Sequence, residues 1–117
     1  MTRLRSDFWV AAHLRRCAVE GITAVLRRRG AAEAGAIFVK IDRLDGTADL
    51  YGPAPQSLID EGGAGRLFTA LLEQVMPLEI EERMAREARF DPDFWFLEIE
   101  DRQGRHFLDV EGGRSGG

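Results

Sequence analysis

His13 and Cys17 stand four residues apart. On a helix that spacing puts two side chains on one face, where an imidazole and a thiolate can share a metal ion or act as base and nucleophile. Both readings are short of partners. His106 is the only other histidine and Cys17 the only cysteine, so a metal would lack ligands. Cys17 also falls on the apolar line of its helix, where a thiol serves as packing. No metal and no cofactor are expected. The run Glu61-Gly62-Gly63-Ala64-Gly65-Arg66 has the small residues of a phosphate loop but not the lysine and hydroxyl that must follow, so it reads as a loop. Asp91 and Asp93 flank Pro92 and could act as acid and base, yet the same residues supply turn hydrogen bonds at a helix end. The chain contains no Gly-x-Ser-x-Gly, His-Glu-x-x-His or Cys-x-x-Cys pattern. No catalytic residue is assigned, and the expectation leans away from an enzyme.

Binding chemistry has better candidates. Trp9, His13 and Arg16 share one helix face, and Trp and Arg are the residue types that anchor protein interfaces. The segment Tyr51-Gly52-Pro53-Ala54-Pro55 is a second interface candidate, through Tyr51, Pro53 and Pro55. Arg15-Arg16 and Arg27-Arg28-Arg29 would converge into an anion site if the first helix packs back on the first strand, since guanidinium forks match oxyanions. The competing reading of the arginine run is a charged guard on a strand edge.

These residues need elements to position them. Ser6 or Asp7 caps a helix over 7–20, with Val10, Ala11, Leu14, Cys17 and Ala18 as its apolar stripe and Gly21 as its stop. Residues 22–28 alternate as a strand, with Ile22, Ala24 and Leu26 on one side. Residues 36–43 read as a central strand. Leu44-Asp45-Gly46-Thr47 reads as a two-residue hairpin turn, which sets Ile41 opposite Leu50, Arg43 opposite Ala48 and Asp42 opposite Asp49, with Lys40 diagonal to Asp49 and both aspartates toward water. The prolines at 53 and 55 end the returning strand, and 53–65 is a long loop. Residues 66–73 lean to strand. Pro77 opens a helix to Arg89 with Ile80, Met84 and Ala88 inside and with Glu79–Arg83 and Glu82–Arg86 as ion pairs. Residues 94–101 form a last main strand, and His106 to Val110 a short closing one. The order is helix, four strands, helix, strand. It predicts an α+β fold: a mainly antiparallel sheet of about five strands with two helices packed on one face.

The whole chain bounds these readings. Its 117 residues, 44% apolar and 31% charged, suit one domain, placed at 1–110 with a disordered Gly-rich tail at 111–117. The net charge of −4 is unevenly spread: residues 1–50 hold nine basic and six acidic side chains, and the remainder seven and fourteen. Fifteen of the sixteen basic residues are arginine, which GC-rich codon usage also explains. Net acidity makes duplex DNA a poor partner. No apolar run approaches the roughly 20 residues of a membrane helix, and the run after Arg3 and Arg5 is too short for a secretory signal. One free cysteine suits a reducing compartment. A cytoplasmic location is expected, with no membrane partner.

Ser6-Asp7-Phe8-Trp9-Val10 with Leu14-Arg15-Arg16, Gly35-Ala36-Ile37-Phe38-Val39, Leu50-Tyr51-Gly52-Pro53-Ala54-Pro55 and Arg86-Glu87-Ala88-Arg89-Phe90-Asp91-Pro92-Asp93-Phe94-Trp95, in this order and spacing, resemble a family of small proteobacterial proteins known as a domain of unknown function. The resemblance runs from about residue 3 to 110. It implies a bacterial cytoplasmic protein of one domain and brings no activity, cofactor or catalytic residue. The resulting expectation is a non-enzymatic interaction domain, homodimeric or bound to another protein. Its alternative is binding of a small anion, nucleotide or RNA through Arg15, Arg16, Arg27, Arg28 and Arg29.

Overall fold

The apolar runs at 37–41 and 95–99 become neighbouring strands in the middle of a sheet. The structure, a computed structural model, describes residues 4–55 and 66–111 and the backbone of 114–115. In chain order the elements are α1 (Ser6–Val19), β1 (Thr23–Arg28), β2 (Ile37–Asp42), β3 (Ala48–Pro53), β4 (Leu67–Val75), α2 (Pro77–Phe90), β5 (Trp95–Glu100), β6 (Asp109–Val110) and β7 (Arg114–Ser115). The strands lie in the order β1-β5-β2-β3-β4-β6-β7. The α+β class holds, and β4 resolves 66–73 as strand. The sheet is mixed rather than mainly antiparallel, and it has seven strands, two of them two residues long. β5 runs antiparallel to β1 and parallel to β2, and β6 runs parallel to β4. The parallel pair follows from α2, which carries the chain back across the sheet so that β5 can enter between β1 and β2.

The helices cover opposite faces, not one. Side chains alternate along a strand. Ile37, Val39, Ile41, Trp95, Leu97 and Ile99 pack with Val10 and Cys17 of α1. Phe38, Leu50, Phe94 and Phe96 pack with Ile80 and Met84 of α2. Strands apolar on both faces already carried this information, since a sheet buried on both sides needs a cover on each.

Several local expectations are corrected. Ser6 and Asp7 do not cap α1; Arg5 holds the cap position, without a side-chain capping bond. The first amides of α1 instead donate to the carbonyls of Glu33 and Ala32, at 3.1 and 3.0 Å. The hairpin between β2 and β3 is longer than two residues: Leu44 and Gly46 take φ of 61° and 91°, and the Arg43 amide donates to the Thr47 carbonyl at 3.1 Å. The register moves by one residue, with Lys40 opposite Leu50 and Ile41 opposite Asp49. A one-residue shift reverses which face a side chain meets. Lys40 therefore points to the α2 side. Asp49 is buried at 1% exposure, where it accepts from Arg43 Nε at 2.9 Å and from the Gln74 amide at 2.7 Å. β3 runs through Pro53, which pairs with Phe68. Among the described residues neither Glu79–Arg83 nor Glu82–Arg86 closes; the ion pairs at that spacing are Arg16–Glu20 and Asp101–Arg105. His106 to Leu108 are not strand. The Gly-rich run at 61–65 and most of the 53–65 loop lie outside the described residues. So does most of the 111–117 segment, whose described part is the backbone of β7, paired with β6.

Candidate functional site

α1 turns toward the sheet a line that reads Ser6, Val10, His13 and Cys17, at the i, i+4, i+7 and i+11 spacing of one helix face. Two of the four are polar. This corrects the expected stripe, because Ala11 and Ala18 are exposed. Ser6 Oγ donates to the Gly35 carbonyl at 2.7 Å and accepts from Arg66 at 2.8 Å. The His13 ring lies flat against Trp9 with centroids 4.5 Å apart, and Trp9 reaches Phe68 at 5.3 Å. Trp9 is half-buried and His13 buried, so these two interface candidates face inward. Arg16 alone of that trio is exposed. It lies over the Phe107 ring at 4.7 Å and pairs with Glu20 at 3.7 Å.

The two histidines meet. His13 Nε2 donates to the His106 carbonyl at 2.8 Å, and His106 Nδ1 accepts from the Leu108 amide at 2.9 Å. Accepting at Nδ1 makes the His106 ring neutral with its proton on Nε2, and the His13 bond puts a proton on Nε2 of that ring. Burial pushes the His13 imidazole below its ordinary range, against the pull of its carbonyl partner. Burial first, and His13 second, push His106 down to about 4. Tyr51 is buried and packs its ring on His106 at 4.6 Å, while Pro53 and Pro55 are exposed. Cys17 is fully buried, and burial raises its thiol above the ordinary range. Burial thus disfavours the Cys17 thiolate, and the backbone holds one nitrogen of each ring, Nε2 in His13 and Nδ1 in His106.

The other side of the sheet carries the charges. Arg27 holds Glu81 with bonds of 2.7 and 2.9 Å and Glu98 at 3.1 Å. Lys40 reaches Glu81 at 2.8 Å and Glu98 at 3.7 Å. Arg27, and Lys40 after it, hold the Glu81 carboxyl down to about 2. Asp42, Glu98 and Glu100 bring carboxylate oxygens within 4.8 Å of one another and are the group among the described residues that could hold a cation. Lys40 and Arg27 already balance charge there.

The arginines do not converge. α1 and β1 run in opposite directions around Gly21, so Arg15 and Arg16 sit at one end of α1 while Arg27 to Arg29 return to the other. Arg27, Arg28 and Arg29 lie over Phe96, Phe94 and Trp95 at 4.9, 4.7 and 5.3 Å. Arg28 also donates to the Pro92 carbonyl at 2.8 Å. Asp91 accepts from the Asp93 amide at 3.1 Å, the turn role that ends a helix.

Sequence reasoning missed the outer face of α1. Phe8 and Val19 are 56% and 77% exposed, and Ala11, Ala12, Arg15 and Ala18 between them are exposed as well. The signal was present as 8, 12, 15 and 19, a second apolar-rich helical line beside that of Val10 and Cys17.

A family model described as "Protein of unknown function (DUF1491)" matches residues 4–109. The chain belongs to the DUF1491 family. A crystal structure of a DUF1491 protein from Caulobacter crescentus CB15 is 40% identical, with a TM-score of 0.77, over 93% of this chain and 98% of that one. The solution structure of protein Atu0922 from A. tumefaciens is 39% identical, with a TM-score of 0.83, over 97% of this chain and 99% of that one. No curated protein matches the chain. The DUF1491 relatives bear out the resemblance read from the sequence, and they carry no activity to transfer. No helix among the described residues is long and apolar enough to cross a membrane.

Proposed function

We propose that this DUF1491 protein is a non-catalytic contact domain of the bacterial cytoplasm that binds protein through the outer face of α1. One observation carries the reading: α1 exposes large apolar side chains, Phe8 and Val19, on its outer face. A helix that only covers a sheet shows mainly charge to water, whereas this one shows Phe8, Ala11, Ala12, Ala18 and Val19 beside Arg15 and Arg16. Apolar surface aligned in this way marks a place where another molecule sits. The buried histidines support a non-catalytic role, since each holds a backbone group through one ring nitrogen and burial lowers the pKa of both.

A photoreactive benzoylphenylalanine at position 8 should give covalent protein adducts in cells, and the same residue at Glu82, exposed on α2, should not. Absence of adducts at position 8, or equal adducts at both, removes the reading.

A further inference from the structure

We infer that the partner seated on this face is a second copy of the chain, with the two α1 helices antiparallel about a two-fold axis that passes between Ala11 and Ala12. The inference rests on the reading of α1 as a contact surface and names its occupant. A two-fold interface is built from one patch used twice, so the patch must complement itself. The outer line of α1 does so about a point between Ala11 and Ala12. Phe8 and Arg15 stand equally far from the axis on either side. Across the axis Phe8 faces the second copy's Arg15. Ala11 and Ala12 come beside their own counterparts, and small residues there allow the helices to approach to about 8 Å.

The arginines give a second reason. Arg5, Arg16, Arg27, Arg28 and Arg29 each lie over an aromatic ring. Arg15 is the exception between residues 4 and 29. It is exposed and makes no ion pair, hydrogen bond or ring contact with any described residue. The ring that the axis brings to it is Phe8, which carries Arg5 on one side at 5.1 Å and is more than half exposed. A second guanidinium on that ring would complete the pattern at both ends of the interface at once.

A helix of 14 residues is about 21 Å long. A pair of such helices falls at the small end of specific interfaces, so association is expected in the micromolar range. Sedimentation equilibrium of the full chain from about 10 to 500 µM brackets that range. Dimer should appear with concentration, and Ala12→Glu should shift the midpoint at least tenfold upward with an unchanged near-ultraviolet spectrum. Oxidation should link Ala12→Cys into a disulfide dimer. Val19→Cys should stay unlinked, because its copies are about 22 Å apart along the helices in this arrangement, and the fully buried Cys17 gives a blank in the wild-type chain. A wild-type chain that stays monomeric throughout overturns the inference. So does a dimer indifferent to Ala12→Glu, or linkage through position 19 instead of 12. Adducts at position 8 with a different protein would likewise overturn it while leaving the contact-domain reading standing.

Discussion

His106 shows how a polar residue earns a place in a core. Its ring accepts a hydrogen bond from the Leu108 amide through Nδ1, and its carbonyl accepts one from His13 Nε2. Desolvation lowers its pKa from 6.5 to about 4, so between those values the unfolded chain binds a proton that the folded chain refuses. Stability is then complete above pH 6.5 and falls as the pH drops toward 4. A shift of this size corresponds to about 3 kcal/mol. His106→Asn keeps an acceptor two residues before Leu108 and removes the titration. Urea melts at pH 7 and pH 4.5 should show a clearly smaller loss in the variant, and equal losses would refute the assignment. Little of this was legible beforehand. His13 and Ser6 are inside because His106, Arg66 and Gly35 come from distant parts of the chain to satisfy them. Until those partners are known, polarity is sound reason to place His13 in water and Ser6 at the cap of the helix. That reasoning turned α1 by roughly a quarter turn and put Trp9 on the wrong side.

At the scale of elements, periodicity located the strands and helices well, because Ile37 to Ile41, Trp95 to Ile99 and Ile80 to Met84 repeat with the spacing of their own secondary structure. Register was the weaker inference. Asp45-Gly46 suits a two-residue turn, but the loop here also uses Leu44 at φ 61°, with Asp42 accepting the Leu44 amide at 2.9 Å. Nothing about a leucine announces that conformation. It is costly for a side chain with a Cβ, by about 1 to 2 kcal/mol, and asparagine bears it better. Leu44 is 43% exposed and gives up little packing. Leu44→Asn should therefore raise stability by about 0.5 to 1 kcal/mol, read as a higher thermal midpoint with the same amide pattern for β2 and β3. A lower midpoint would show that Leu44 packs more than its exposure suggests. The same one-residue change in register hands Lys40 to Glu81 and Asp49 to Arg43, so both faces of the sheet depend on this loop.

Across the whole molecule, β1 is an edge of the sheet, paired among the described residues only with β5. An open edge invites another strand. The run Arg27 to Arg29 ends it with charge, and the pairing breaks register between Leu26 and Arg28, two devices that discourage such pairing. The guard reading of these arginines thus acquires a structural setting that the sequence did not supply, because strand order depends on where the distant β5 enters. Arg28→Val with Arg29→Val should increase light scattering at a temperature where melts show the protein still folded. Unchanged scattering would assign these arginines to their aromatic partners alone.

The entry of β5 between β1 and β2 also governs how the protein is made. Thr23 pairs with Glu100, and Ile37 with Trp95. The ribosome therefore releases β1 through β4 before the strand that joins β1 to the others exists. Until residue 100 emerges, Leu26, Val39 and Ile41 have no neighbour on that side, and the nascent chain is most open to mispairing during this interval. The pace of translation through 77–100, and any holding factor that shields those strands meanwhile, then set the yield of folded protein. A transcript cut short ahead of residue 95 leaves β1 without a partner.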